Sequence, residues 1–294
     1  MNILVVMDTD AKQRQWFETA AEGAKVTFCP GDGSDAGAAL EEADVIIGNV
    51  EPKLVSKAKN LKWLQLNSAG ANTYCQPGIL PDGVLLTNAT GAYGLALSEH
   101  MLALTMAMMK KLYVYHDNQH QSLWQDEGPV TSFYGATVVV VGFGDIGRNF
   151  GRRVKALGAQ VIGLRRRKGE VPPEADEMGD MAHFEDYLSR ADIVASCLPD
   201  TPETYRIYNK ERFMAMKKGA FFVNVGRGSN VDQEALREAV LVRSFGRCRA
   251  GCYRSGTAAV DGSFVADERH LHYAAHFRRL PPAGDARLHR PYRR

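Results

Sequence analysis

The chain opens with short runs of aliphatic and β-branched residues that alternate with stretches of helical periodicity. In the first hundred residues the pattern predicts strands at Ile3–Met7, Val45–Val50, Trp63–Asn67 and Val84–Thr87. It predicts helices between them near Lys12–Ala21, Ala36–Glu42 and Pro52–Ala58. Strands that alternate with helices at this spacing indicate a parallel sheet covered by helices on both faces.

A second series of the same kind follows a long helix-compatible stretch, Leu95–His116, whose methionines are typical of core packing. The uninterrupted apolar run Ala136–Val141 predicts a strand that is buried on both faces. Later strands are predicted at Gln160–Leu164, Ile193–Leu198 and Ala220–Val225, and helices through about Leu157 and near Phe184–Arg190, Lys210–Met216 and Gln233–Leu241.

Neither periodicity continues beyond residue 242, where Gly, Arg and Pro are scattered without order. We therefore predict an α/β fold with two doubly wound parallel sheets. One domain covers residues 1–94, and a second covers residues 95–242 and begins with the long helix. Residues 243–294 form an irregular segment.

The composition is that of a globular protein, because 45% of the 294 residues are hydrophobic and 24% are charged. The net charge of +2 hides an uneven distribution. Residues 1–242 hold 12 Arg, 13 Lys and 30 acidic residues, a net of −5, whereas residues 243–294 hold 11 Arg, no Lys and 4 acidic residues, a net of +7. A basic tail is typical of a nucleic-acid arm. This one lacks a recognition motif and interleaved aromatic residues, so we expect no nucleic-acid partner.

The cysteines and the apolar runs favour a cytoplasmic protein. Cys29, Cys75 and Cys197 lie far apart, and no C-x-x-C pair occurs, which is typical of a reducing compartment. The first residues reach an acid at Asp8 without a basic region and predict a strand rather than a signal peptide. The apolar run at Met101–Met109 is too short to span a bilayer, so we expect no membrane partner.

A glycine-rich turn, Gly142-Phe143-Gly144-Asp145-Ile146-Gly147, joins the buried strand to the next helix. Glycines in this G-x-G-x-x-G spacing permit a tight turn and a close approach of backbone N–H groups to a pyrophosphate at the helix N-terminus. We predict a dinucleotide site that includes Gly142, Gly144, Asp145, Ile146 and Gly147. The alternative is a glycine-rich turn without a ligand.

Three arginines, Arg165, Arg166 and Arg167, follow the next strand, where an NAD site places Asp or Glu. Guanidinium groups suit the 2′-phosphate of NADP, and no carboxylate is present in this segment to repel it. We therefore predict NADP as the preferred cofactor, with NAD possible. A solvated basic turn is the alternative.

Arg227 lies between two glycines after the predicted strand that ends at Val225. Ligands of open α/β sheets bind at the carboxyl ends of strands, and a guanidinium group there offers a planar charged fork to a carboxylate or keto oxygen. The alternative is a structural surface arginine.

The chain resembles the D-2-hydroxyacid dehydrogenase family, which includes glyoxylate/hydroxypyruvate reductases and phosphoglycerate dehydrogenases, over residues 1–242. The segments that carry the resemblance are Ser68–Ala71, Thr87–Gly91, Ser98–His100, Val141–Gly147, Leu198–Thr204 and Asn224–Gly228. It implies a flavodoxin-like substrate domain over residues 1–94, a Rossmann domain over residues 95–242 and a cleft between them.

The resemblance also implies roles for individual residues. Backbone N–H groups around Ala69, Gly70 and Ala71 would bind the substrate carboxylate, and Arg227 would orient the keto group as a catalytic residue. The residues that would line the cofactor are Leu198, Pro199, Thr204, Asn224, Val225 and Gly226. A homodimer is expected on the same ground.

Two catalytic residues of the family have no counterpart here. In the family, a histidine in a T-P-H segment protonates the developing alkoxide, and a glutamate in an E-P-L-P segment orients that histidine. Neither segment occurs in the chain. We therefore expect an oxidoreductase for small 2-oxo or 2-hydroxy acids whose activity is impaired. A non-catalytic NADP-binding sensor or corepressor-like protein is the alternative, and a cofactor-free interaction domain is a third reading that the intact glycine turn disfavours.

The last fifty residues fit the missing segment read in the wrong frame. Codons for residues 246–259, read one base later, can encode G-G-A-G-L-D-V-T-D-P-E-P-L-P, and codons for residues 273–279 can encode T-P-H-I-S-G-G. We infer a one-base slip near residues 243–247, either biological or from sequencing. The tail residues Cys248, Cys252, His270, His272 and His276 lack the framework of a metal site, so we predict no metal there and assign His276 no role.

Overall fold

Ten strands form two parallel sheets in residues 1–243, the part of the chain that the computed structural model describes. The first sheet contains β1 (Asn2–Val6), β2 (Lys25–Cys29), β3 (Val45–Gly48), β4 (Trp63–Gln65) and β5 (Leu85–Thr87). The second contains β6 (Thr137–Val141), β7 (Gln160–Arg165), β8 (Glu177–Asp180), β9 (Ile193–Ser196) and β10 (Phe221–Asn224). Apart from Arg243, the predicted irregular segment 243–294 lies outside the described residues.

Nine α-helices lie along the described chain, and loops without an α-helix join β4 to β5 and β7 to β8. The helices are α1 (Ala11–Ala20), α2 (Ala38–Glu41), α3 (Pro52–Val55), α4 (Gly94–Met109), α5 (Leu112–His120), α6 (Asp145–Ala156), α7 (Phe184–Arg190), α8 (Lys210–Ala215) and α9 (Gln233–Arg243). Residues 1–92 form one compact unit, and the second unit begins at Tyr93. Within residues 1–243, every helix is too short or too polar to cross a membrane.

The strand order of each sheet confirms the predicted fold class. The first sheet runs β2-β1-β3-β4-β5, which is the flavodoxin-like order, and all of its strand pairs are parallel. The second runs β8-β7-β6-β9-β10, which is the Rossmann order of strands 3-2-1-4-5. Both sheets change the direction of winding next to their first strand, where such folds bind ligands.

Burial on both faces of the sheet explains the run of four valines in the central strand β6. Val138 and Val140 pack into the core on one face of the sheet, together with Phe150 of α6. Val139 and Val141 pack into the core on the opposite face, which α7, α8 and α9 cover. Because both faces are buried, the four positions that follow Thr137 are all valine.

Three features differ from the sequence-based predictions. The strands β2 and β8 were not predicted, and both lie at edges of their sheets. The prediction of one helix over Leu95–His116 is wrong, because the helix is interrupted at Lys111, between α4 and α5. Lys111 adopts a left-handed conformation with φ of 54°, which ends the regular hydrogen bonding of α4.

Candidate cofactor and substrate sites

The predicted cofactor residues follow four strands of the second sheet. The glycine turn follows β6, the arginines end and follow β7, and the other two segments follow β9 and β10. Because all four strands are parallel, their carboxyl ends lie at the same edge of the sheet.

Each glycine of the turn after β6 has a separate geometric reason. A Cβ atom on Gly142, whose φ is +90°, would lie 2.8 Å from the carbonyl oxygen of Cys197. A Cβ on Gly147 would lie 2.5 Å from the carbonyl oxygen of Gly142. A Cβ on Gly144 would meet no atom of the described chain within 4 Å. The first and third glycines therefore permit close packing, while the second leaves the turn open to a ligand.

The N-terminus of α6 presents a row of backbone donors. Gly144 provides no side-chain cap, and the first helical bond runs from Arg148 N to Gly144 O at 2.9 Å. The N–H groups of Asp145, Ile146 and Gly147 donate to no acceptor within residues 1–243. These donors and the positive end of the helix dipole together form an anion site.

The side chain of Asp145 is held away from its own backbone donor. Its Oδ1 accepts a hydrogen bond from Asn149 Nδ2 at 3.1 Å, and its carboxylate lies against Gly94, where a Cβ would come within 2.5 Å of Oδ2. Asp145 therefore contributes its backbone N–H to the anion site, and its charge faces the start of α4.

Arg165 is hydrogen-bonded to the glycine turn, and it is exposed like Arg166 and Arg167. Arg165 Nε donates to the carbonyl oxygen of Phe143 at 2.8 Å. Arg166 and Arg167 follow β7 in an exposed bend. The pKa of the Glu203 carboxyl is lowered, first by a hydrogen bond from Thr201 and also by the charge of Arg166. A carboxylate thus lies within electrostatic reach of the cluster, which the local sequence did not predict.

The turns after β9 and β10 pack together through their backbones. A Cβ on Gly226 would lie 2.5 Å from the carbonyl oxygen of Leu198, so only glycine permits this approach. The side chain of Asn224 accepts from Gly226 N at 3.0 Å and shapes the turn after Val225. Thr204 donates its hydroxyl to the carbonyl oxygen of Pro199 at 2.7 Å, so this hydroxyl organises its own loop.

Asn230 is a site residue that sequence reasoning missed. Its side chain is fully buried and accepts from Arg227 N at 3.0 Å. Its Nδ2 donates to the carbonyl oxygens of Pro199 at 3.0 Å and Thr204 at 3.1 Å. The only available signal was an amide side chain close behind the Gly-Arg-Gly sequence, and the tertiary contact that buries it is not visible in the sequence.

Arg227 lies at the mouth of the turn after β10 with an exposed side chain. Its backbone is fixed from two sides, because Asn230 accepts from its N–H and Asn224 donates to its carbonyl oxygen at 3.0 Å. Within residues 1–243, the one hydrogen bond of its guanidinium group goes from Nη1 to the carbonyl oxygen of Gly226 at 2.9 Å. The guanidinium group therefore retains N–H donors for an anionic ligand.

The predicted carboxylate-binding loop belongs to the first unit and follows β4. Its carbonyl oxygens are occupied, since Asn88 Nδ2 donates to Ala69 O and Ser68 Oγ donates to Gly70 O, both at 2.9 Å. The N–H groups of Ala69, Gly70 and Ala71 donate to no acceptor in the described chain. With the carbonyls bonded and the N–H groups available, the loop has the donor pattern of an anion site.

Asn49 is a second residue that sequence reasoning missed. Its Oδ1 accepts from Asn67 N at 3.2 Å and from Ser68 Oγ at 3.4 Å. It comes directly after β3, so it connects the ends of two neighbouring strands and supports the loop.

Comparison with known proteins identifies the family. A family model described as D-isomer specific 2-hydroxyacid dehydrogenase, NAD binding domain, matches residues 102–248. The chain belongs to the D-isomer specific 2-hydroxyacid dehydrogenase family. The flavodoxin-like and Rossmann sheets agree with this assignment, and the glycine turn lies within the matched residues.

The similar proteins include enzymes and solved structures of the same family. D-3-phosphoglycerate dehydrogenase of Mycobacterium leprae is 30% identical over 247 residues, which cover 82% of this chain and 46% of that protein. The chain thus spans about half the length of this curated relative.

Two solved structures share the fold. A family protein of Aeromonas salmonicida matches with a TM-score of 0.81 at 25% identity, over 93% of this chain and 88% of that one. A dehydrogenase of Xanthobacter autotrophicus, solved with NADPH and MES, matches with a TM-score of 0.77 at 23% identity, over 92% and 87% of the two chains.

Proposed function

We propose that this dehydrogenase-family chain binds a nicotinamide dinucleotide and is built to transfer a hydride between it and a small 2-oxo or 2-hydroxy acid. The observation that carries the proposal is the glycine turn, where three N–H groups at the start of α6 have no acceptor in the described chain and Gly144 borders open space. This arrangement suits a pyrophosphate, which supports a cofactor position at the edge where β6, β9 and β10 end.

The preferred cofactor in this proposal is NADP. Arg165, Arg166 and Arg167 stand at the end of β7, where a carboxylate would select the ribose hydroxyls of NAD. Arg165 is already oriented by its bond to Phe143 O, and Arg166 and Arg167 are exposed to solvent. Glu203 lies within electrostatic reach of Arg166 and moderates the positive potential there.

The substrate's two oxygen-bearing groups have separate partners in this proposal. Ala69, Gly70 and Ala71 offer backbone N–H groups to the carboxylate, and Arg227 offers its guanidinium to the keto oxygen. Arg227 would stabilise the negative charge that develops on that oxygen as hydride reaches the carbon, because its charge is permanent. Leu198, Pro199 and Thr204, together with Asn224, Val225 and Gly226, would form the cofactor wall.

The proton-donating histidine and its glutamate are missing from the chain, so we propose that turnover is impaired. Loss of general acid catalysis alone commonly lowers a rate by about 10²–10⁴-fold. The proposed one-base slip near residues 243–247 accounts for the loss. The match to the family model supports it, because that match ends at residue 248.

The gene provides the test of this proposal. Its codons for residues 246–259 and 273–279 should encode the E-P-L-P and T-P-H segments one base later. The 294-residue chain should then show near-background oxidation of NADPH with glyoxylate or hydroxypyruvate. A gene with the frame restored should gain about 10²–10⁴-fold in kcat. Codons that exclude both segments would refute the slip, and robust turnover by the 294-residue chain would refute the impairment.

A non-catalytic NADP-binding sensor is the second candidate, and the missing catalytic residues favour it. Such a protein needs an ordered structure of its own over residues 243–294, so resistance of that segment to protease would support it. Rapid cleavage there, with residues 1–242 protected, would support the impaired enzyme. A homodimer and a cytoplasmic location remain predictions, which sedimentation analysis and cell fractionation would check.

A further inference from the structure

Two histidines lie on consecutive turns of α5, outside the proposed cofactor and substrate residues. His116 and His120 are four residues apart, and their Nε2 atoms approach each other to 3.0 Å. Their rings are nearly perpendicular, at 89°, with centroids 4.4 Å apart. Both side chains are exposed. Their ring nitrogens therefore converge on one point that solvent reaches.

We propose that His116 and His120 form a surface chelate for a divalent transition-metal ion. The sequence prediction of no metal site rested on the tail and did not consider this pair. Neutral imidazole nitrogens are common metal ligands, and residues at i and i+4 share one face of a helix. The helix already fixes the backbone of both residues, so binding requires ordering of only the two side chains.

The distance between the two nitrogens selects the class of metal. For metal–nitrogen bonds of about 2.0–2.1 Å, nitrogens 3.0 Å apart subtend an angle of roughly 91–97° at the ion. This is the angle between neighbouring ligands in square-planar, tetragonal and octahedral sites, and it is smaller than the tetrahedral angle that Zn(II) prefers. Cu(II) and Ni(II) favour such geometries, and Cu(II) binds nitrogen ligands most tightly of the divalent series.

The surroundings of the pair agree with a two-residue chelate. His120 is the last residue of α5, where the negative end of the helix dipole favours a cation. Residues 1–243 contain no group of three or more His, Cys, Asp or Glu placed to hold a metal ion, so water or an external ligand would fill the remaining positions. The site is therefore open to exchange.

The test compares the full chain with the double variant H120Q/Q121H. The variant keeps the number of histidines but moves one imidazole to i+5, which places it on a different face of the helix. Titration calorimetry with Cu(II) chloride should show one site in the wild type that is about 10²-fold tighter than in the variant, since a second tethered ligand adds avidity. Electron paramagnetic resonance at half an equivalent of Cu(II) should report two equatorial imidazole nitrogens in the wild type.

Two controls separate this site from other histidines. H183Q removes an exposed histidine that bonds Asp180, and it should leave the tight site unchanged. H116Q should lose the tight site as H120Q/Q121H does, with the far-ultraviolet circular dichroism of the wild type. Equal Cu(II) affinity and equal numbers of sites in the wild type and H120Q/Q121H would overturn the proposal. So would a resonance signal that is the same in both.

Discussion

The side-chain amide of Asn230 donates to the carbonyl oxygen of Pro199 across 3.0 Å, and this bond joins the turn after β10 to the turn after β9. The same nitrogen bonds Thr204 O, while Oδ1 accepts from Arg227 N. One buried side chain thus connects the proposed cofactor wall to the proposed catalytic arginine. Its effect on binding is indirect, because it holds backbone in place and reaches no ligand in the proposal.

Replacing Asn230 with alanine should destabilise the fold and weaken cofactor binding together. N230A removes three hydrogen bonds: Arg227 N–H loses its partner, and two carbonyl oxygens each keep one other donor, so the free energy of unfolding should fall by about 2–4 kcal/mol. Urea unfolding measures this, and NADPH titration measures the binding. Ser229 gives the matched control, since its half-buried hydroxyl links the same two turns through a side chain, Asp200 Oδ1 at 2.7 Å, rather than through backbone. S229A should cost no more than about 1 kcal/mol; equal losses in the two variants would contradict the role of Asn230.

Alanine substitutions at the second and third glycines of the turn after β6 should affect different properties. G147A should lower stability, whereas G144A should weaken NADPH binding. The Cβ of G147A would lie 2.5 Å from Gly142 O, so α6 must shift and stability should fall by roughly 1–3 kcal/mol. G144A meets nothing within 4 Å and should cost no more than about 1 kcal/mol. Its methyl group would nevertheless occupy the opening over the N–H groups of α6.

Thermal unfolding and NADPH titration should therefore separate these two variants. G144A should unfold near the wild-type temperature and bind NADPH at least about tenfold more weakly. If G144A binds NADPH as the wild type does, the pyrophosphate does not lie at this turn.

The arginine cluster should control the choice between the two dinucleotides. R166Q/R167Q removes two charged donors, so NADPH affinity should fall by about 10–100-fold, whereas NADH affinity should change little. Calorimetric titration of both cofactors measures the ratio. R237Q is the control, because Arg237 is an exposed arginine paired with Glu234 on α9. An equal loss for NADH and NADPH would mean that the cluster acts by general charge alone.

Glu174 should make stability depend on pH. Its carboxyl has a side-chain exposure of 8% and bonds Arg152 at 2.8 Å and Arg148 at 3.1 Å. Burial alone would raise its pKa, but the hydrogen bonds from Arg152 and Arg148 outweigh burial and hold the pKa below its ordinary value. Because the folded pKa is the lower one, the stabilisation is present above the ordinary pKa of about 4.3 and is lost as pH falls through the folded pKa.

Comparison with E174Q measures this contribution. At pH 7 the variant should be about 1–3 kcal/mol less stable, since both arginines lose a charged partner while keeping access to water. The gap should begin to narrow as the pH falls below the ordinary pKa of about 4.3, and it should close as the pH falls through the lower pKa of the folded state, where the wild-type carboxyl becomes protonated. Glu234, which pairs with Arg237 on an exposed surface, supplies the control E234Q. A gap that stays constant from pH 7 to acid pH would contradict this account.

The parts of the fold that could be predicted are those whose residues carry their own local reason. The four valines of β6 are apolar because both faces of the strand are buried, and Gly142 and Gly147 follow from backbone contacts that only glycine permits. β8 could not be predicted, because Glu177–Asp180 has two charged ends and becomes a strand by pairing with β7. The interruption of the helix at Lys111 could not be predicted either, because no Gly or Pro marks it in the sequence.

The residues of the candidate site likewise fall into those that the sequence predicts and those that it does not. The glycines, Arg165 and Arg227 follow from motifs, since each lies directly after a strand that the apolar pattern predicts. Asn49 and Asn230 could not be found, because each acts on backbone groups of a distant or folded-back segment. Supporting residues of this kind are defined by the packing of turns against each other, which periodicity does not report.

The measurement that bears most directly on the proposed cofactor site is titration of the full 294-residue chain with NADPH and, separately, with NADH. We expect both to bind and NADPH to bind at least about tenfold more tightly, because only its 2′-phosphate meets the arginines after β7. Tighter binding of NADH, or no binding of either cofactor, would contradict this expectation.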